Sequence, residues 1–155
     1  MNRFIIMFAS IVGAALLFAQ LANGQDVPDH AISASAHGGY FATYGATRRI
    51  EFTANRDRLN NQRGQGSFFN VTNGLKVHFT IDCLRVEGNV ATMTGIWDDG
   101  QGNFPYVLLR VVDNGEGKRA TDQVSRLYTT SEPLSCNDTF DLPLFEAFGG
   151  NIQVK

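Results

Sequence analysis

The stretch from Val111 to Asp122, VVDNGEGKRATD, concentrates oxygen donors. Asp113, Asn114, Glu116 and Asp122 are the candidate metal ligands, and calcium is the cation they would suit, since it takes six to eight converging oxygens. The stretch lacks the alternating acids and terminal glutamate of an EF-hand loop. Its Asp-Asn-Gly and Glu-Gly steps are turn chemistry, with glycine available for positive φ. The expected role is a long hairpin loop without a cofactor, and a calcium site is the alternative. Asp98 and Asp99 could join these ligands only if both loops lay at one end of the domain.

Other candidate chemistry is sparse. His78 sits in the alternating stretch LKVHFTID, opposite Val77, Phe79 and Ile81, so it is expected on the solvent face. His30 and His37 fall in an amino-terminal segment read as flexible. No Gly-x-Ser-x-Gly elbow, His-Glu-x-x-His pair or phosphate loop occurs. Distant carboxylates could still converge for glycoside hydrolysis, but no particular pair is indicated. Phe68 and Phe69 are adjacent, so one must point away from the core. Trp97 and Tyr106 flank a loop, where aromatic rings can stack on sugars or partners, although packing at a barrel rim is the ordinary use.

The compartment is set by the amino terminus. Arg3, an apolar run from Phe4 to Ala19, and a polar stretch with Ala22 and Gly24 have the three-part plan of a secretory signal peptide. Residues 1–24 are read as that signal, with cleavage before Gln25, and residues 25–155 as a single β domain. The apolar run is shorter than the ~20 residues of a spanning helix. A secreted or periplasmic location without a stable membrane anchor follows. Cys83 and Cys136 then meet an oxidising compartment and are expected to pair. Two sulfurs so far apart in sequence lack zinc-ligand spacing. With 13 basic and 15 acidic side chains, the chain has no excess positive charge for nucleic acid.

The elements that must carry these groups are strands. In RRIEFTAN, Ile50, Phe52 and Ala54 face one way, with Arg49, Glu51, Thr53 and Asn55 opposite. In CLRVEGNVATMTG, a two-residue turn at Gly88–Asn89 sets Glu87 against Val90, Val86 against Ala91 and Leu84 against Met93. Parity switches between Ile81 and Leu84, which predicts a bulge at Asp82–Cys83. FPYVLLRVV is apolar on both faces, so it should be covered on both, with Pro105 at its start. GSFFNV, QVSRLYTT, NIQVK and either AISASA or GYFAT supply more strands. NRDRLNNQRGQG reads as the most polar loop. SEPLSCNDTFDLPLFEAFGG reads as an irregular cover packed down by Phe140, Leu142, Leu144 and Phe145. The fold class is all-β: an antiparallel meander of about 7–9 strands forming a small barrel or a two-sheet sandwich. The expected interior is Ile50, Phe52, Phe79, Ile81, Leu84, Val86, Met93, Leu109 and Val111.

IEFTANRD, GQGSFFNV, GLKVHFTIDCLRVEGNVATMTG, VVDNGEG and GGNIQVK occur in an order that resembles the post-COAP family. These are small exported bacterial domains found after a choice-of-anchor A domain. The resemblance covers Ile50 to Lys155 and implies an exported β domain, with no catalytic residues to carry over. The functional expectation is a non-enzymatic exported binding or surface-interaction domain, meeting an extracellular or cell-surface partner of unknown identity. The alternatives are a ligand-carrying barrel and a small secreted hydrolase.

Overall fold

The computed structural model describes residues 31–41, 45, 47–98, 104–116 and 121–155. The signal segment, His30, Asp99 and the pair Lys118–Arg119 lie outside them.

Strict alternation in TRRIEFTANR produces a strand whose Ile50, Phe52 and Ala54 are buried and whose Arg49, Glu51 and Thr53 are exposed. This strand, β2 (Thr47–Arg56), follows β1 (Ile32–Phe41) and precedes β3 (Gln62–Asn70) and β4 (Lys76–Glu87), whose first half alternates in the same way. β5 (Val90–Trp97) and β6 (Tyr106–Val112) are buried on both faces over most of their length. Two short strands follow, β7 (Gln123–Ser125) and β8 (Tyr128–Thr130), then β9 (Leu144–Val154). All pairings are antiparallel, and β1 to β7 neighbour each other in chain order. β9 pairs with both β7 and β1, which closes an eight-stranded barrel. Closure covers most of the sheet edge, the hazard of an open meander. Among the described residues it leaves the β7 side of β9 beyond Glu146 and the outer side of β8 without a strand partner. Of the two architectures left open by the sequence, the molecule is the barrel. β8 is the ninth strand, paired to β6 beyond a one-residue offset from β7. QVSRLYTT is thus one strand broken at Arg126–Leu127, with the buried Ser125 hydroxyl accepting the Arg110 amide at 2.9 Å.

Every residue expected inside is there, with Val86 only half-buried. The bulge falls between Ile81 and Cys83, and the Gly88–Asn89 turn has the expected register. Gly88 has φ 60° and Asn89 is not in the positive region, so this is the primed turn with glycine at its first central position. The bulge brings Gly95 against the opposite backbone; a Cβ there would lie 1.8 Å from the Thr80 carbonyl oxygen. β1 and β2 put Ile32, Tyr40, Ile50 and Phe52 inside together with Ala34, Ala36 and Ala54, and β4 to β6 add Phe79, Leu84, Met93 and Leu109. These side chains enclose one another, so the interior among the described residues is packed rather than a lined cavity.

Three boundaries differ from the sequence reading. One strand, β1, runs from Ile32 in AISASA to Phe41 in GYFAT. The polar loop shrinks to Asp57–Asn61, because the Asp57 carboxylate gathers the Leu59 and Asn61 amides at 2.9 Å and the Asn61 side chain at 2.8 Å. Those hydrogen bonds, that of the Asn61 side chain foremost, hold the Asp57 carboxyl below the usual carboxylate range. The cover ends at Pro143, and Leu144 and Phe145 belong to β9. The part before it does cover the barrel. Leu108, Thr92 and Thr94 occupy outward positions yet are no more than 2% exposed. Cys83 and Cys136 sit at bonding distance, 1.97 Å between sulfurs, beside an Arg85–Asn137 carbonyl hydrogen bond of 3.0 Å.

Tyr40 stacks on Phe145 inside the barrel, with ring centroids 5.8 Å apart. Burial pushes its hydroxyl up to about 12, against smaller opposing influences of the Leu127 amide and the Arg48 and Arg126 charges. An unfolded tyrosine ionises near 10. The folded state therefore retains a proton that the unfolded chain has released, and this stability is lost as pH rises from 10 towards 12. The expected slope is about 1.4 kcal/mol per pH unit over that window. Urea midpoints from pH 9 to 11 should fall in the native protein and fall less in Tyr40→Phe.

Candidate functional site

The acidic loop resolves into a fastening rather than an open ligand set. Asp113 accepts the Gly115 amide at 2.8 Å through Oδ1 and the Val154 amide at 3.0 Å through Oδ2. Asp122 accepts the Asn114 amide through Oδ1 and the Ile152 amide through Oδ2, both at 3.0 Å. β7 pairs with β9 only from Leu144 to Glu146. Beyond that the two carboxylates replace the missing strand partner of β9. The Asn114 side-chain amide donates to the Thr121 carbonyl at 2.7 Å, and Glu116 is exposed. A calcium ion would compete with backbone amides for all four carboxylate oxygens of Asp113 and Asp122. Asp98 cannot contribute, because successive meander turns alternate ends and its hairpin lies at the opposite end of the barrel.

A sizeable depression lies on the outer wall. Its residues follow from cross-strand register. In one row His37 faces Glu51, Glu51 faces Ser67, and Ser67 faces His78. The row ends at Asp98, whose amide donates to the His78 carbonyl at 2.9 Å. In the next row Phe148 faces Gly39, Gly39 faces Arg49, Arg49 faces Phe69, and Phe69 faces Lys76. All belong to the parity opposite Ile50, Phe52 and Phe79, so they project outward. Directly opposed pairs have Cβ atoms about 5 Å apart, close enough to act on one ligand.

Two adjoining depressions, of about 650 and 390 Å³, share Glu51, Ser67 and Lys76 and form one trough across this wall. It is concave because Gly39 and Ser67 leave its floor nearly bare. Phe148 forms one wall. A Cβ on Gly39 would lie 2.9 Å from the Phe148 ring, so glycine is what lets the ring settle there. The ring remains 41% exposed. Gly149, at φ 64°, helps turn β9 where the β1 register shifts between His37 and Gly39. Arg49, Glu51 and Lys76 are exposed and form no ion pair among the described residues.

Sequence reasoning found part of this wall. His78 has the expected outward face, and Phe69 is the outward member of the adjacent pair. His37 lies in β1 rather than in a flexible segment. Phe148 was hidden in the stretch read as cover; the Gly149–Gly150 pair after it was the available sign of a bulge. Trp97 packs against the core and Tyr106 is half-buried; on this wall the outward rings are Phe69, itself half-buried, and Phe148, while Phe104 and Tyr128 are exposed elsewhere. No helix of the described residues is long and apolar enough to cross a membrane. No family model, curated protein or solved structure matches the chain.

Proposed function

We propose that this chain is an exported, non-enzymatic binding domain that meets its partner outside the cytoplasm through the trough on the outer wall of β1 to β4. The carrying observation is where space is found: among the described residues the interior is packed, and a depression of about 650 Å³ lies outside, lined by charged and aromatic side chains. The signal-like amino terminus, the bonding-distance cysteines and the resemblance to exported post-COAP domains support the location.

Two measurements test the reading. Residues 1–24 fused to a reporter enzyme that is active only after export should yield activity, and a silent fusion overturns the location. Titration with cis-parinaric acid, a fluorescent lipophile, should give no saturable signal. A saturable rise at one equivalent overturns the outer-wall reading in favour of a carrier.

One observation favours a second reading: Glu51 and Asp98 line the same depression. Along their row they are three strand spacings apart, about 14 Å at the backbone. That is wide for a glycosidase pair, whose carboxyls lie roughly 5–9.5 Å apart. Both are also exposed, whereas a general acid relies on surroundings that raise its pKa.

A further inference from the structure

We propose that the trough is a subsite for a carboxylate-bearing sugar, such as a run of linked uronic acid residues. The inference rests on the reading of the trough as the ligand surface and adds the chemistry of the ligand.

Three features lead to it. Arg49 and Lys76 stand on either side of Phe69 in one row, so two cations flank an outward ring. A pyranose ring has an apolar C–H face that lies on such a ring, and a carboxylate on its rim then meets a cation. Beside Phe69 on β3, one inward-facing position removed, Ser67 is flanked by Glu51 and His78. Glu51 is a pure acceptor when ionised, so it calls for a ligand rich in hydroxyl donors. The next row, where Thr53 faces Gln65 and Gln65 faces Thr80, adds hydroxyls and an amide.

The mixture of charges separates this ligand from others. A phosphate chain would gain from Arg49 and Lys76 but would be repelled by Glu51 and Asp98, and its backbone offers Glu51 no donor. A neutral sugar would satisfy Glu51 and leave two exposed cations unused. A sugar acid uses both rows, with charge at the Phe69 row and hydroxyls at the Glu51 row. The trough crosses β1 to β4, about 14 Å of wall at ~4.8 Å per spacing, which suits a short linear run of rings better than one small molecule.

The test is calorimetric titration of the full exported domain with three probes: tetragalacturonate, its fully methyl-esterified form and inorganic polyphosphate. Tetragalacturonate should bind, weakening with added salt, and the ester should bind at least tenfold more weakly. Arg49→Ala and Lys76→Ala should each cost roughly tenfold, the loss expected for a hydrogen bond to a charged group. Phe69→Ala and Glu51→Gln should weaken both sugar forms. Gly39→Ala, which displaces the Phe148 ring, should weaken tetragalacturonate while leaving the melting temperature nearly unchanged. Equal binding of acid and ester overturns the carboxylate assignment and leaves the trough a neutral-sugar surface. Polyphosphate binding as tight as tetragalacturonate overturns the sugar assignment and leaves a plain cationic patch. Binding of neither sugar form overturns the inference outright, while the lipophile titration still judges the outer-wall reading separately.

Discussion

Replacing both Cys83 and Cys136 with alanine should lower stability by about 4 kcal/mol, the chain-entropy cost of releasing a loop of 53 residues. The loss should appear as a lower urea midpoint. It has a local component as well. The bond holds the cover segment against β5 and β6, where Leu108, Thr92 and Thr94 are buried on outward positions. A cover that lifts would bring water to an apolar side chain and two hydroxyls together. Native protein denatured without reductant should titrate no free thiol. Two reactive thiols, or a double variant within 1 kcal/mol of the native midpoint, would remove the bridge from the account.

Asp122→Ala should be the most damaging single substitution in the acidic loop, at about 3 kcal/mol. Its carboxylate accepts two backbone amides, and hydrogen bonds to charged groups contribute roughly 1.5–3 kcal/mol each. The Ile152 amide, part-buried at the closing strand, would lose its acceptor. Asp122→Asn keeps one acceptor oxygen and should lose about half as much. The Asp122 carbonyl also accepts the Ala147 amide at 2.8 Å, a bond both variants retain, so the barrel should loosen at β9 rather than unfold there. Hydrogen exchange should show faster exchange at Ile152 and Val154. An alanine variant with the native urea midpoint and unchanged exchange at Ile152 would refute the fastening role.

Both effects show which parts of the molecule were legible in the sequence. Ile50, Phe52, Phe79 and Ile81 betrayed their side of the sheet by alternation alone, because a strand's period is two wherever it sits. Leu84 and Met93 betrayed their pairing because a two-residue turn fixes register locally. Cys83 and Cys136 could be paired because only one intramolecular pairing exists. Asp122 gave no such sign. Its partner Ile152 lies 30 residues on, and an acid that accepts strand amides looks in sequence like one that holds a cation. The trough failed to show for the same reason. His37, Glu51, Ser67 and His78 belong to four strands, and only the full register brings them into one row. Phe148 needed the bulge at Gly149 and the bare Gly39 opposite, two features on strands far apart in sequence.

The pairing of β1 with β9 bears on how the barrel is assembled. Ser33 and Lys155 exchange hydrogen bonds of 2.8 and 2.9 Å, so among the described strands the first in the chain is sealed by the last. Hairpins from β1 to β6 can form as the chain emerges, each from neighbouring residues. The seam must wait until β9 has been made, and non-local β pairings of this kind fold in milliseconds to seconds rather than microseconds. Until then the free side of β1 is a template that does not distinguish its own β9 from one on another molecule. Crowded folding therefore favours a particular error: two copies trading β9, each barrel complete but closed by the other's strand.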